Sequence, residues 1–216
     1  EMCGRDWSSD VCSSDLADED EFSFHAFSLD ATVFEHKGEY YYIWAEKTGV
    51  GKQISNLYIA KMEAPNKLAT VQVLLTTPDY DWERIDFWVN EGPAILKHNG
   101  KIYLTFSASA TGECYCMGML YIDEDADLLD PACWTKLRHP VLKTDREAGI
   151  FGPGHNSFVK AEDGETDLCV YHARPYDEIV GDPLYDPNRH AMVMKVRYDE
   201  NDFPVFEYQT IEEVFE

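Results

Sequence analysis

Three segments share one pattern at a spacing of about sixty residues, and a repeat of that kind constrains a fold more than any single motif does. They are DATVFEHKGEYYYIWAE from Asp30, EGPAILKHNGKIYLTFSAS from Glu91 and HNSFVKAEDGETDLCVYHAR from His155. Each opens on a polar residue, runs through a short apolar stretch and turns at a glycine eight or nine positions on: Gly38, Gly100 and Gly164. A second stretch rich in Tyr, Phe, Leu and Val follows. Lys37-Gly38, Asn99-Gly100 and Asp163-Gly164 are hairpin signals, because glycine accepts the positive φ of a tight reversal. The starts are 61 and 64 residues apart.

Further strand-like runs lie between the hairpins: NLYIAKM (56–62), VQVLLTT (71–77), CMGMLYI (116–122) and WTKLR (134–138). Four short strands per repeat make the blade of a β-propeller, so the chain is predicted to be all-β, with blade starts near 30, 91 and 155. Helical periodicity is weak, and Leu128-Leu129-Asp130-Pro131 reads as a turn that Pro131 closes. The first strand of a blade lines the central channel, so a residue at one offset in every blade faces the same funnel. Asp30, Glu91 and His155 are expected at that offset.

Composition narrows the partners. With 13 Tyr, 11 Phe and 5 Trp the chain is aromatic enough for a strand-rich core and for flat contacts with sugar rings. A formal charge of −23 leaves nothing to neutralise phosphates, which excludes nucleic acid and disfavours anionic membrane surfaces. No run of about 18 apolar residues is present to span a bilayer. Arg5 to Leu16, RDWSSDVCSSDL, resembles the translated read-through of a sequencing adapter, so residues 1–16 are set aside as a foreign leader and 17–216 read as the domain. Cys114, Cys116, Cys133 and Cys169 have no zinc-site spacing and read as free thiols. That leans toward a reducing compartment, with cytoplasmic and secreted both open.

Two carboxyls facing one cavity are the requirement of glycoside hydrolysis: one protonates the leaving oxygen and the other activates water or attacks the anomeric carbon. Glu91 sits in WVNEGPAIL among apolar residues, which raise a carboxyl pKa as a general acid needs, and an ionised Asp30 nearby would raise it further. Phe87 and Trp88 are candidates for a sugar-stacking wall, with core as the equal alternative. Trp82, in a charged loop-like stretch, is a candidate for substrate contact. Asn90 is placed to bind a sugar hydroxyl or to cap its turn. The acidic run Asp123 to Asp127 lacks the glycine and terminal glutamate of a calcium loop and reads as solvated.

The segments LDATVFEHKGEYYYIW, WVNEGPAIL, GPGHNSF and DPLYDPNRHAMVM resemble glycoside hydrolase family 43, in its α-L-arabinofuranosidase branch, over roughly residues 22–216. The resemblance implies a five-bladed propeller and an inverting mechanism with an aspartate base, a pKa-tuning aspartate and a glutamate acid. It implies Asp30 as the tuning aspartate, Glu91 as the acid and His155 as a histidine near the axis that helps hold calcium or a similar ion, often through water. Arg189 matches an arginine that reaches the substrate pocket. No segment matches the base, and neither Asp18 nor Asp20 is assigned to it. Three repeats of the observed spacing make about three blades, leaving roughly 120 residues for two more.

The resulting expectation is an inverting exo-arabinofuranosidase in its complete form, acting on arabinan or arabinoxylan with no cofactor in the chemistry. The present chain is expected to be inactive without the base. A β-xylosidase of the same family, a sugar-binding propeller or an inert fragment are the alternatives. A retaining fructan-hydrolase-like enzyme is disfavoured because Gly92-Pro93, and not cysteine, follows Glu91.

Overall fold

In the computed structural model, residues 26–48 and 54–215 are described. The leader at 1–16 and the acidic run with Asp18 and Asp20 lie outside them. Among the described residues the fold is all-β, with one five-residue α-helix, α1 (Ile211–Phe215), near the end.

The two closest hairpins form as their turns dictate. β1 (Ser28–His36) returns through Lys37 (φ 52°) and Gly38 (φ 81°) into β2 (Glu39–Thr48). β6 (Trp88–His98) returns through Asn99 (φ 43°) and Gly100 (φ 78°) into β7 (Lys101–Ala108). Two consecutive positive φ angles make the tight turn whose twist matches that of the strands it joins. The third hairpin, β10 (Phe151–Lys160) to β11 (Asp167–Arg174), has a longer turn in which the Asp163 carboxylate accepts the Glu165 and Thr166 amides.

Each hairpin is extended by an antiparallel strand: β3 (Ile54–Ala64) on β2, β8 (Cys116–Asp123) on β7 and β12 (His190–Lys195) on β11. β4 (Lys67–Leu68) and β5 (Val73–Thr76) pair with β3, and β9 (Thr135–Lys136) with β8. The first two units are linked by a short parallel contact, Ile54 with Trp88 and Ser55 with Val89.

The units stack face to face because their strands are apolar on both sides. Along β7, Ile102, Leu104 and Phe106 meet Ile43, Leu57 and Ile59 of the first unit in one core. Tyr103 on the opposite face of β7 joins Met117, Met119, Cys169, Tyr171 and Met194 in a second core with the third unit. Burying both faces of a strand removes the alternation of a half-exposed one and locks the middle unit between its neighbours. The four described cysteines are free thiols.

The strand that opens each unit carries a bulge at the same place. Leu29 pairs with Ala45 and Thr32 with Ile43; Glu91 pairs with Ser107 and Ala94 with Thr105; Gly154 pairs with His172 and Ser157 with Val170. In each case an extra residue bends the strand, and the first bulged residue is left-handed: Asp30 (φ 51°), Gly92 (φ 55°) and His155 (φ 48°). This corrects the expected offset. Gly92, not Glu91, is the equivalent of Asp30 and His155, and Glu91 stands one residue earlier, at the last pair before the bulge.

Candidate active site

The three bulges bring β1, β6 and β10 together around an open trough of ≈ 690 Å³, whose walls include Asp30, Gly92, Lys97, His155 and Asn156. Donor atoms of Asp30, Glu91 and His155 lie within 4.8 Å of one another. The sequence places these three together correctly, although the glutamate arrives from a different register position.

Asp30 is held from both neighbouring units. Its Oδ2 accepts the Gly92 amide at 3.1 Å, and its Oδ1 lies 3.8 Å from His155 Nε2. Gly92 is required twice over. Its φ of +55° is costly for an L side chain, and a Cβ there would sit 3.2 Å from His155 Nδ1. The GPG of GPGHNSF has a related cause: a Cβ on Gly154 would lie 2.5 Å from the Tyr115 ring, and one on Gly152 would lie 2.4 Å from the Gly112 carbonyl oxygen.

Glu91 is backed by Tyr115, a residue that the sequence reading missed. The buried phenol donates to Glu91 Oε1 at 2.8 Å, and its ring stacks on His172 at 5.5 Å and 8°. Burial pushes the Glu91 carboxyl above the usual carboxylate range and the Asp30 charge pushes it further, while the Tyr115 hydrogen bond pulls it back. The environment therefore favours a protonated acid. Burial and the Glu91 charge in turn hold the Tyr115 phenol well above its ordinary pKa, so it remains a donor.

His172 is neutral. Burial, helped by the charges of Arg189, His155 and Arg174, lowers its pKa to about 4, and neither ring nitrogen has a hydrogen-bond partner. Arg189 is thus near this side of the site; its Nη2 donates to the Leu184 carbonyl. Arg174, also missed, is buried and donates to the Thr111 and Pro183 carbonyls at 2.6 Å each and to Asp186 at 3.3 Å. It thereby ties the 175–189 loop to the loop that carries Tyr115.

The remaining sequence candidates are in other places. Asn90 is fully buried: its amide donates to Glu83 Oε1 at 2.9 Å and its oxygen accepts from Thr76 at 3.3 Å, which leaves it neither a turn cap nor open to the trough. Glu83, with no exposed surface, also accepts Lys136 at 2.6 Å and the Asp79 and Tyr80 amides at 2.7 Å each. This polar knot anchors the start of β6 one residue from the acid. Trp82 packs into the first core against Phe106 and Gly118, and its indole donates to the Arg138 carbonyl at 3.0 Å. The Trp88 face is taken by the Arg84 guanidinium at 4.8 Å, and Phe87 is 61 % exposed. None of Trp82, Phe87 and Trp88 lines the trough, and Glu91 itself stands just behind Gly92, outside its lining.

The donor set of Asp30, Glu91 and His155 does not fit a directly held calcium ion, which wants six to eight oxygen ligands. One donor is a nitrogen, one carboxyl is biased toward its protonated form, and Gly92 and Tyr115 already occupy an oxygen of each carboxyl.

The model of the glycosyl hydrolases family 43 matches residues 14–204. An extracellular exo-α-(1→5)-L-arabinofuranosidase of Streptomyces avermitilis is 45% identical over 181 residues, which are 84% of this chain and 38% of the relative. α-L-Arabinofuranosidase 43 of Humicola insolens is 43% identical over 185 residues, 85% of this chain and 38% of that protein. Among solved structures, an α-L-arabinofuranosidase from Lactobacillus brevis superposes with a TM-score of 0.81 at 55% identity, covering 85% of this chain and 57% of the other. A thermostable family-43 glycoside hydrolase gives 0.72 at 27% identity, covering 88% and 60%. The chain thus spans well under half the length of these two sequence relatives.

Proposed function

Because the chain belongs to glycosyl hydrolases family 43, we propose that the complete protein cleaves terminal α-L-arabinofuranosyl residues from arabinan or arabinoxylan, with Glu91 as general acid and Asp30 as the group that orients and tunes it. The carrying observation is the half-buried Glu91 carboxyl, raised in pKa by desolvation and by the neighbouring Asp30. Protonation of the leaving oxygen needs such a group at neutral pH. The arabinofuranosidase names of the relatives support the sugar assignment over a β-xyloside.

Asp30 does not serve as the base of an inverting pair. Inverting carboxyls stand about 6.5–9.5 Å apart to admit a water, whereas the Asp30 and Glu91 donor atoms lie within 4.8 Å. Both Asp30 oxygens also face protein groups, Gly92 and His155. We therefore assign the base to residues outside this sequence, within a five-bladed ring of which residues 17–216 supply about three blades. We expect this chain alone to be inactive. Arg189 remains as a substrate contact, and any ion near the axis would reach His155 through water. The word extracellular in a relative's name supports secretion of the complete protein.

The close carboxyl spacing favours one second reading, a retaining enzyme with Asp30 as nucleophile. NMR of the first product formed from an aryl α-L-arabinofuranoside by the full-length protein separates them. β-L-Arabinofuranose as first product supports inversion; the α-anomer overturns it in favour of retention. An enzyme that hydrolyses β-xylosides and leaves arabinofuranosides intact would refute the sugar assignment.

A further inference from the structure

We propose that Tyr115 is the positioning residue of the acid: its phenol holds Oε1 of Glu91, so that the proton delivered to the leaving oxygen is carried on Oε2. The inference rests on the reading of Glu91 as general acid and adds which of its oxygens acts and what keeps it in place.

Burial and the Glu91 charge keep the Tyr115 phenol protonated, so it has a hydrogen to give. It donates to Glu91 Oε1 at 2.8 Å. With Oε1 accepting, the acidic hydrogen belongs on Oε2. As the bond from the anomeric carbon to the leaving oxygen breaks, that oxygen keeps the electron pair and takes the Oε2 proton. Glu91 is left as a carboxylate, and Tyr115 keeps its hydrogen and stabilises the new charge through Oε1.

The seat of the phenol is rigid. The ring is 1 % exposed, lies flat against His172 and occupies the space that a side chain on Gly154 would need. Its loop is pinned by the Arg174 bond to the Thr111 carbonyl. A buried side chain stacked on one face and closely approached by Gly154 keeps one hydrogen-bond geometry, which is what preorganised catalysis requires.

Tyr115→Phe in the full-length enzyme tests this, because it keeps the ring and removes only the donor. On an arabino-oligosaccharide, whose leaving group needs the proton, kcat is expected to fall roughly 10- to 100-fold with KM unchanged, the effect of losing a hydrogen bond to a group that becomes charged. On 2,4-dinitrophenyl arabinofuranoside, whose leaving group departs unprotonated, kcat is expected to stay within about threefold. Equal losses on both substrates, or none on either, would overturn the proposal. If the wild type hydrolyses neither substrate, the arabinofuranosidase reading fails and infrared spectroscopy decides the positioning claim. The protonated Glu91 carbonyl stretch, assigned by its disappearance in Glu91→Gln, should move to higher frequency in Tyr115→Phe, and an unmoved band refutes the hydrogen bond. Should Tyr115→Phe not fold, Gly154→Ala crowds the Tyr115 ring and weakens the same hydrogen bond while keeping the phenol. It should give a smaller loss, again confined to the poor leaving group, and a loss shared by both substrates counts against the positioning role.

Discussion

Replacing Gly92 with alanine perturbs the site through backbone and contact at once, and the two parts can be separated. At φ +55° an L side chain costs about 1–2 kcal/mol relative to glycine. The new Cβ would meet His155 at 3.2 Å from Nδ1 and 3.3 Å from Cγ. That ring is 45% exposed and can give way, so the contact adds little to the stability loss but moves the imidazole relative to Asp30. Gly38→Ala is the control, because Gly38 has φ +81° and nothing within 4 Å of its would-be Cβ. In urea both variants should lose about 1–2 kcal/mol, a midpoint drop of roughly 0.5–1 M at the slopes usual for small domains. In the full-length enzyme only Gly92→Ala should lower kcat. Wild-type kcat in Gly92→Ala, or an equal loss in Gly38→Ala, would refute the claim that close approach of His155 to β6 shapes the site.

Gly154→Ala forces a methyl group to 2.5 Å from the Tyr115 ring without a backbone penalty, so it should cost about 1–3 kcal/mol by urea denaturation and weaken the hydrogen bond to Glu91. His172→Phe keeps the stack on Tyr115 and removes a histidine that is neutral when folded. The wild-type pKa of about 4 lies below the ordinary 6.5, so the unfolded chain binds the extra proton and stability falls as pH drops through that window, by about 1.4 kcal/mol per unit. The variant should match the wild type at pH 7 and exceed it at pH 5 in urea midpoints; parallel pH curves would count against a neutral buried His172. Arg174→Met removes three hydrogen bonds, while Asp186 keeps those from the Tyr176 hydroxyl and the Asn188 amide, for a loss of about 1–3 kcal/mol in chemical denaturation.

The fold was legible because its signals are local. Lys37-Gly38 and Asn99-Gly100 announce tight turns, and the spacing of the repeats announces stacked units, without any knowledge of what packs on what. The register at the site was less legible. Aligning by polar residues equates Glu91 with Asp30, whereas aligning the two turn glycines, 62 residues apart, equates Gly92 with Asp30 and would have placed the bulge. Tyr115 gave no signal at all: it precedes β8 rather than opening a unit, and its partners Glu91 and His172 are far away in sequence. Trp82 and Asn90 stand elsewhere than their sequence setting suggests. Asn90 is buried on Glu83 and Thr76, and half-buried Trp82 packs on Phe106, so both are turned to protein partners that no local pattern announces.

The central claim is that Glu91 delivers the proton. Full-length Glu91→Gln should bind arabino-oligosaccharides as the wild type does and hydrolyse them about 10²- to 10⁴-fold more slowly, the usual contribution of general-acid catalysis. Hydrolysis of those oligosaccharides by Glu91→Gln at the wild-type rate would contradict the account.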